Sequence, residues 1–148
     1  MGADLTIKTK DYPEYMRLLH EYMRLLHELN ESKWEQSNAF EKEHGFNGEN
    51  YFRDSYNNSN LLWVLGLSWW EDIKRFLTRE GDILPDKAAN LLELVRSRSI
   101  TIPADDDAYG LGREANKLGR EYFEQKKQRF EAFLQRAIDL KLPIHAST

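Results

Sequence analysis

The chain has 148 residues, 41% of them hydrophobic and 12% aromatic, with a formal net charge of −4 from 25 acids against 21 bases. That length predicts a single domain spanning residues 1–148, and the apolar content excludes a disordered chain. The mild acidic balance argues against a nucleic-acid partner, and the absence of cysteine removes thiol catalysis, disulfides and cysteine-ligated zinc.

In chain order, Leu5–Lys8 alternates well enough for one short strand. Its flank lacks the basic-then-apolar layout of a signal peptide, and no apolar run approaches the ~20 residues of a membrane span. The expectation is a cytoplasmic protein with no membrane partner. Asp11 and Pro13 then open a helical pattern that runs to about Glu43.

Within it the heptad Glu-Tyr-Met-Arg-Leu-Leu-His occurs twice without a gap, as Glu14–His20 and Glu21–His27. An insert of that length extends a helix by about 10 Å and rotates the residues beyond it by only about 20°. Both copies are therefore expected in one uninterrupted helix, with Leu18 and Leu25 facing the same way.

Gly45 and Gly48 end that helix, and 44–60 reads as a polar, turn-prone loop. Leu61–Arg79 is apolar and helical but broken at Gly66, with Ser68-Trp69-Trp70-Glu71 matching a capping box for a second helix. Pro85 opens another helix to about Arg98, with Ala88, Leu91, Leu92 and Val95 inward. Ile100–Pro103 offers a second short strand to pair with Leu5–Lys8. A final helix is expected over about Leu111–Leu140, stopped by Pro143. The sum is a mainly α fold: an antiparallel bundle of about four or five helices, with room for one minor two-stranded β element.

The candidate ligand- or partner-binding residues are Arg53, Asp54, Tyr56, Asn57 and Asn60, followed by Trp69 and Trp70. A guanidinium, a carboxylate and several amides in one loop can fix a polar ligand, although the same residue types cap helices and close turns. Adjacent tryptophans lie about 100° apart on a helix, so one can be core while the other anchors a partner.

Other constellations point nowhere. Glu41-x-x-His44 has di-metal spacing, but no second copy exists, so no metal or cofactor is expected. Glu28-x-x-Glu31 supplies half of a pyrophosphohydrolase pattern without the other half. Lys126-Lys127-Gln128-Arg129 reads as solvated helix surface.

The start Met1–Leu5 and the block Tyr51–Trp63, running on to Gly66–Trp70, resemble a family of small bacterial and phage-associated proteins. The resemblance covers about a quarter of the chain and carries no catalytic residue; it implies an accessory role in bacteria or mobile elements. The duplicated heptad departs from it, as a variant locus or an engineered chain would. The expectation is a binding protein acting on a protein partner. The alternatives are an enzyme or small-molecule binder with Arg53, Asp54, Asn57 and Asn60 around a pocket, and a chain made to study the duplication.

Overall fold

The computed structural model describes residues 2–25, 31–46, 48–55, 60–102 and 113–147. Strand β1 (Gly2–Ile7) leads into helix α1 (Tyr12–Leu25), followed by α2 (Glu31–Glu43) and strand β2 (Tyr51–Ser55). Then come the short helix α3 (Leu61–Val64), a 3-10 turn at Ile73–Phe76, strand β3 (Asp82–Ile83) and helix α4 (Pro85–Ser97). Helices α5 (Arg113–Leu118) and α6 (Arg120–Leu140) precede the last strand, β4 (Ile144–Ser147).

The helical-bundle expectation is wrong. The fold mixes α and β around a four-stranded, wholly antiparallel sheet in the order β2-β1-β4-β3. Ile100–Ile102 forms no strand, and Pro103 lies outside the described residues. The true partners of β1 are β2 and β4, which read in the sequence as a loop and a chain end. Their registers are Leu5 opposite Phe52 and Leu5 opposite Ala146.

Strand alternation explains how the sheet forms. Ala3, Leu5 and Ile7 of β1, Phe52 of β2, Ile83 of β3, and Ile144 and Ala146 of β4 are all buried on one side. They pack against α3, α4 and α6, whose own buried residues include Leu61, Leu62, Leu91, Val95, Phe130 and Leu134. Phe52 stacks on Phe130 with ring centroids 4.5 Å apart. Asp4, Thr6, Tyr51, Arg53, His145 and Ser147 alternate to the other side, where α1 lies across them.

Two helices that read as continuous are divided. The Asp11–Glu43 pattern becomes α1 and α2, with residues 26–30 between them outside the described set. Helix α1 holds all of the first heptad copy and the second as far as Leu25, while Leu26 and His27 lie outside the described residues. Tyr15 of the first copy is buried and stacks on Phe46, at 4.4 Å, whereas Met23 of the second is 57% exposed.

The last helix breaks at Gly119, whose φ of +83° suits a residue without Cβ. At the end of α2, Gly45 has φ +76°, and a Cβ there would meet the Asn50 amide at 2.9 Å. The helix expected from Ser68 is instead a turn and the 3-10 segment. Ser68 N–H donates to Asp72 Oδ2 at 2.8 Å, and Trp70 N–H donates to Ser68 Oγ at 3.2 Å. Reciprocal capping thus forms with Asp72 rather than Glu71, and a single α-turn, Asp72 N–H donating to Ser68 O at 2.9 Å, gives way to the 3-10 segment.

Among the described residues no helix is long and apolar enough to cross a membrane.

Candidate functional site

Strand β2 separates residues that stand side by side in sequence. Asp54 points into the core and its side chain is wholly buried. It accepts from Leu61 N–H at 3.0 Å and Leu62 N–H at 3.2 Å, the first amides of α3. Trp69 Nε1 donates at 3.2 Å and Lys126 Nζ at 2.7 Å. A carboxylate offers about four lone-pair sites, and here four donors fill them. Asp54 is thereby committed to holding β2, α3, Trp69 and α6 together, and has no capacity left for a substrate proton or a metal.

Asn60 is spent in the same way. It is the N-cap of α3, its side-chain oxygen accepting from Trp63 N–H at 2.6 Å. Trp69 is 6% exposed and belongs to the core, while Trp70 is 66% exposed. Tyr56 and Asn57 lie outside the described residues. Of the residues expected around a pocket, Asp54 and Asn60 are thus committed to holding the fold.

Arg53 goes the other way, onto the polar side of the sheet, 3.4 Å from Asp4. It stands on a wall shared by two clefts. The larger, about 680 Å³, opens between β2 and α6. Its cations are Arg53, Lys126, Arg129 and Arg136, its single acid is Glu49, and Phe52 and Phe133 contribute aromatic surface. Lys126 is bound to Asp54. Arg136 is positioned by Asn50, whose Oδ1 accepts from its Nε at 2.8 Å, and by Glu49 at 3.2 Å. Asn50 is itself anchored, its Nδ2 donating to His44 O at 3.0 Å. Arg129 has no hydrogen-bond or ion-pair partner among the described residues.

The smaller cleft, about 340 Å³, lies between the polar side of the sheet and α1. Tyr51 donates its hydroxyl to Asp4, and Tyr15 donates to Glu41 at 3.2 Å. Burial, then the Asp4 bond, pushes the Tyr51 phenol up to about 12. Burial and the neighbouring Glu41 raise that of Tyr15 as well. At the cleft wall His145 Nδ1 is 2.8 Å from Asp82 Oδ1, and Lys8 Nζ is 3.1 Å from Asp82 Oδ2. Burial works to raise the Asp82 carboxyl, but these two partners outweigh it and hold it below its ordinary value.

The sequence places Lys126–Arg129 on solvated helix surface, yet Lys126 is buried against Asp54 and Arg129 lines the cleft; Arg136 and the Asp82–His145 pair were passed over, and Tyr51 was left out of the candidate residues. Two signals were legible. Arg129, Phe133 and Arg136 are spaced i, i+4, i+7, one face of a helix. Lys126 occupies a core position in the stripe Phe123, Lys126, Phe130, Phe133, Ala137, where a lysine must find a buried acid. The Glu41–His44 spacing serves no joint purpose: Glu41 accepts from Tyr15, and His44 Nδ1 pairs with Asp11 at 3.1 Å. Among the described residues no group of three His, Asp or Glu side chains is placed to hold a metal ion.

The fold and site define a small mixed α/β domain with two clefts of different character flanking one edge strand. Comparison with protein-family models, with curated proteins and with solved structures gives no match for this chain.

Proposed function

We propose that the protein binds a small anionic molecule with an apolar, planar body in the basic cleft between β2 and α6. One observation carries this reading: a chain of net charge −4 gathers three arginines and a lysine around one concavity with a single lining acid, and leaves Arg129 without an internal partner among the described residues. Arginine forks match carboxylate and phosphate oxygens. Phe52 and Phe133 provide apolar surface for the rest of the ligand, and the volume suits a small molecule. The resemblance of the Tyr51–Trp70 block to bacterial and phage-associated proteins adds an accessory setting to this chemistry.

Phenyl phosphate combines an anionic group with a flat apolar body, so it is the probe of choice. Calorimetry on the whole chain should show saturable binding that weakens as salt is raised, because the attraction is partly screened. Arg129→Ala should reduce the affinity roughly ten-fold, the equivalent of one charge-assisted hydrogen bond. An unchanged affinity in the folded variant would remove the basic cleft from consideration.

A second reading, contact with a protein partner, is favoured by one observation: Trp70 is a large apolar side chain left 66% exposed. A partner captured by the intact protein and lost with Trp70→Ala, while Arg129→Ala still binds it, would support that reading over the first.

A further inference from the structure

We infer that the smaller cleft is a separate site for an organic ammonium group, a primary amine attached to an apolar body. Its walls carry the rings of Tyr12, Tyr15, Phe46 and Tyr51. An aromatic face attracts a cation through its quadrupole, as the Tyr12 ring already does for Lys8, whose Nζ lies 5.6 Å from its centroid. Met16 and Leu19 of α1 add an apolar side.

The decisive group is Glu41. It is half-buried in the cleft wall and accepts the Tyr15 hydroxyl, yet no cation pairs with it among the described residues. Asp4, by contrast, already has Arg53 at 3.4 Å and the Tyr51 hydroxyl. Asp82 has Lys8 and His145, and Asp11 has His44. Asp4, Asp82 and Asp11 are thus each matched by a cation or an imidazole. Glu41 has no such match among the described residues, and it shares the cleft wall with Tyr12, Tyr15 and Tyr51. A carboxylate held away from bulk water favours a cationic partner.

Although Tyr51 and Arg53 line both clefts, the two prefer opposite charge: the larger presents one acid against four cations, the smaller Asp4 and Glu41 against Arg53. The ammonium site shares Tyr51 and Arg53 with the anion site but rests on Glu41 rather than Arg129, so each can fail without the other.

The test compares phenethylammonium with the neutral phenethyl alcohol on the full chain, by calorimetry or amide chemical shifts. The ammonium should bind roughly ten-fold more tightly than the alcohol, a difference of one favourable charge contact. Glu41→Gln keeps an acceptor for the Tyr15 hydroxyl and removes the charge. It should lower ammonium affinity by about ten-fold and leave the alcohol unchanged. Tyr12→Leu, which removes one ring but keeps apolar bulk, should also weaken the ammonium. Arg129→Ala should not. Equal affinity for the two compounds, no saturable ammonium binding up to about 10 mM, or unchanged ammonium affinity in a folded Glu41→Gln protein would overturn the inference.

Discussion

Arg53 and Asp54 are neighbours in the chain and opposites in the fold. Asp54, on the inner side of β2, is buried and saturated by four donors; Arg53, on the outer side, stands on the wall between two clefts. The inner side fixes β2, α3 and α6 in place, and the polar groups gathered at Asp54 are satisfied because leaving one unpaired would be costly. The outer side and the adjoining edge keep polar groups available, notably Arg129 and Glu41. A single period-two step therefore separates Asp54, which stabilises, from Arg53, which is placed to bind.

The sharpest way to break this division is at Asp54. Asp54→Ala leaves the Lys126 ammonium, two amides of α3 and the Trp69 indole without their acceptor, and should cost about 3–5 kcal/mol. Chemical denaturation reads this directly, and a loss below about 1 kcal/mol would show the node to be dispensable. Replacing the buried pair as a whole, with Asp54→Leu and Lys126→Met, should recover part of that loss, since apolar groups need no partners.

Removing one heptad copy has a smaller expected effect. Deleting Glu14–His20 or Glu21–His27 yields the same protein, so Tyr15, Met16 and Leu19 remain against the cleft either way. The first helix should lose about 10 Å of length and the fold should persist. Circular dichroism that lost all helical signal, or a deletion variant that no longer bound phenethylammonium while the parent did, would show the second copy to be more than an extension.

The clefts should also declare themselves through pH. Asp82 is held below its ordinary carboxyl value, so its contribution is fully present above that value and is lost as the pH falls through the lowered folded-state value. Asp82→Asn should therefore flatten the acid limb of stability below about pH 4. Tyr51 is raised to about 12, so its contribution is present below its unfolded value of 10.0 and declines as the pH rises toward 12. The difference in phenolate absorbance between the parent and Tyr51→Phe should titrate near the upper value; a midpoint near 10.0 would mean that Tyr51 is neither buried nor bound to Asp4 as the fold has it.

The smallest effect is expected at Trp70. With its side chain 66% exposed, Trp70→Ala should change stability by no more than about 0.5 kcal/mol, in contrast to its buried neighbour Trp69. A larger loss in thermal unfolding would mean that this ring packs against the fold.

The helices were legible where the apolar period was clean. In α4 the inward residues Ala88, Leu91, Leu92 and Val95 are all buried, and Pro85 occupies its first turn. The sheet was hidden for identifiable reasons. In β2 one of the two inward positions is Asp54, so the alternation Phe52 in, Arg53 out, Asp54 in reads as a polar loop. Strand β4 is only Ile144–Ser147, and its pairing with β1 is set by contacts more than 130 residues distant in sequence. No local pattern reports such pairing. That residues of these types cap helices was legible, although Asn60 itself stood among the binding candidates; the clefts were not legible. Arg129 and Arg136 come from α6, Arg53 from β2, and Glu41 from α2, and only the tertiary fold brings them to one neighbourhood.

The most direct test of the division across β2 is a chemical-shift map of the backbone amides during titration with phenyl phosphate. The largest shifts should fall at Arg53, Arg129, Phe133 and Arg136, while Leu61, Leu62 and Trp69 around Asp54 stay nearly still. Shifts centred on that buried node or on Trp70, or no shift at about 10 mM ligand, would contradict the account.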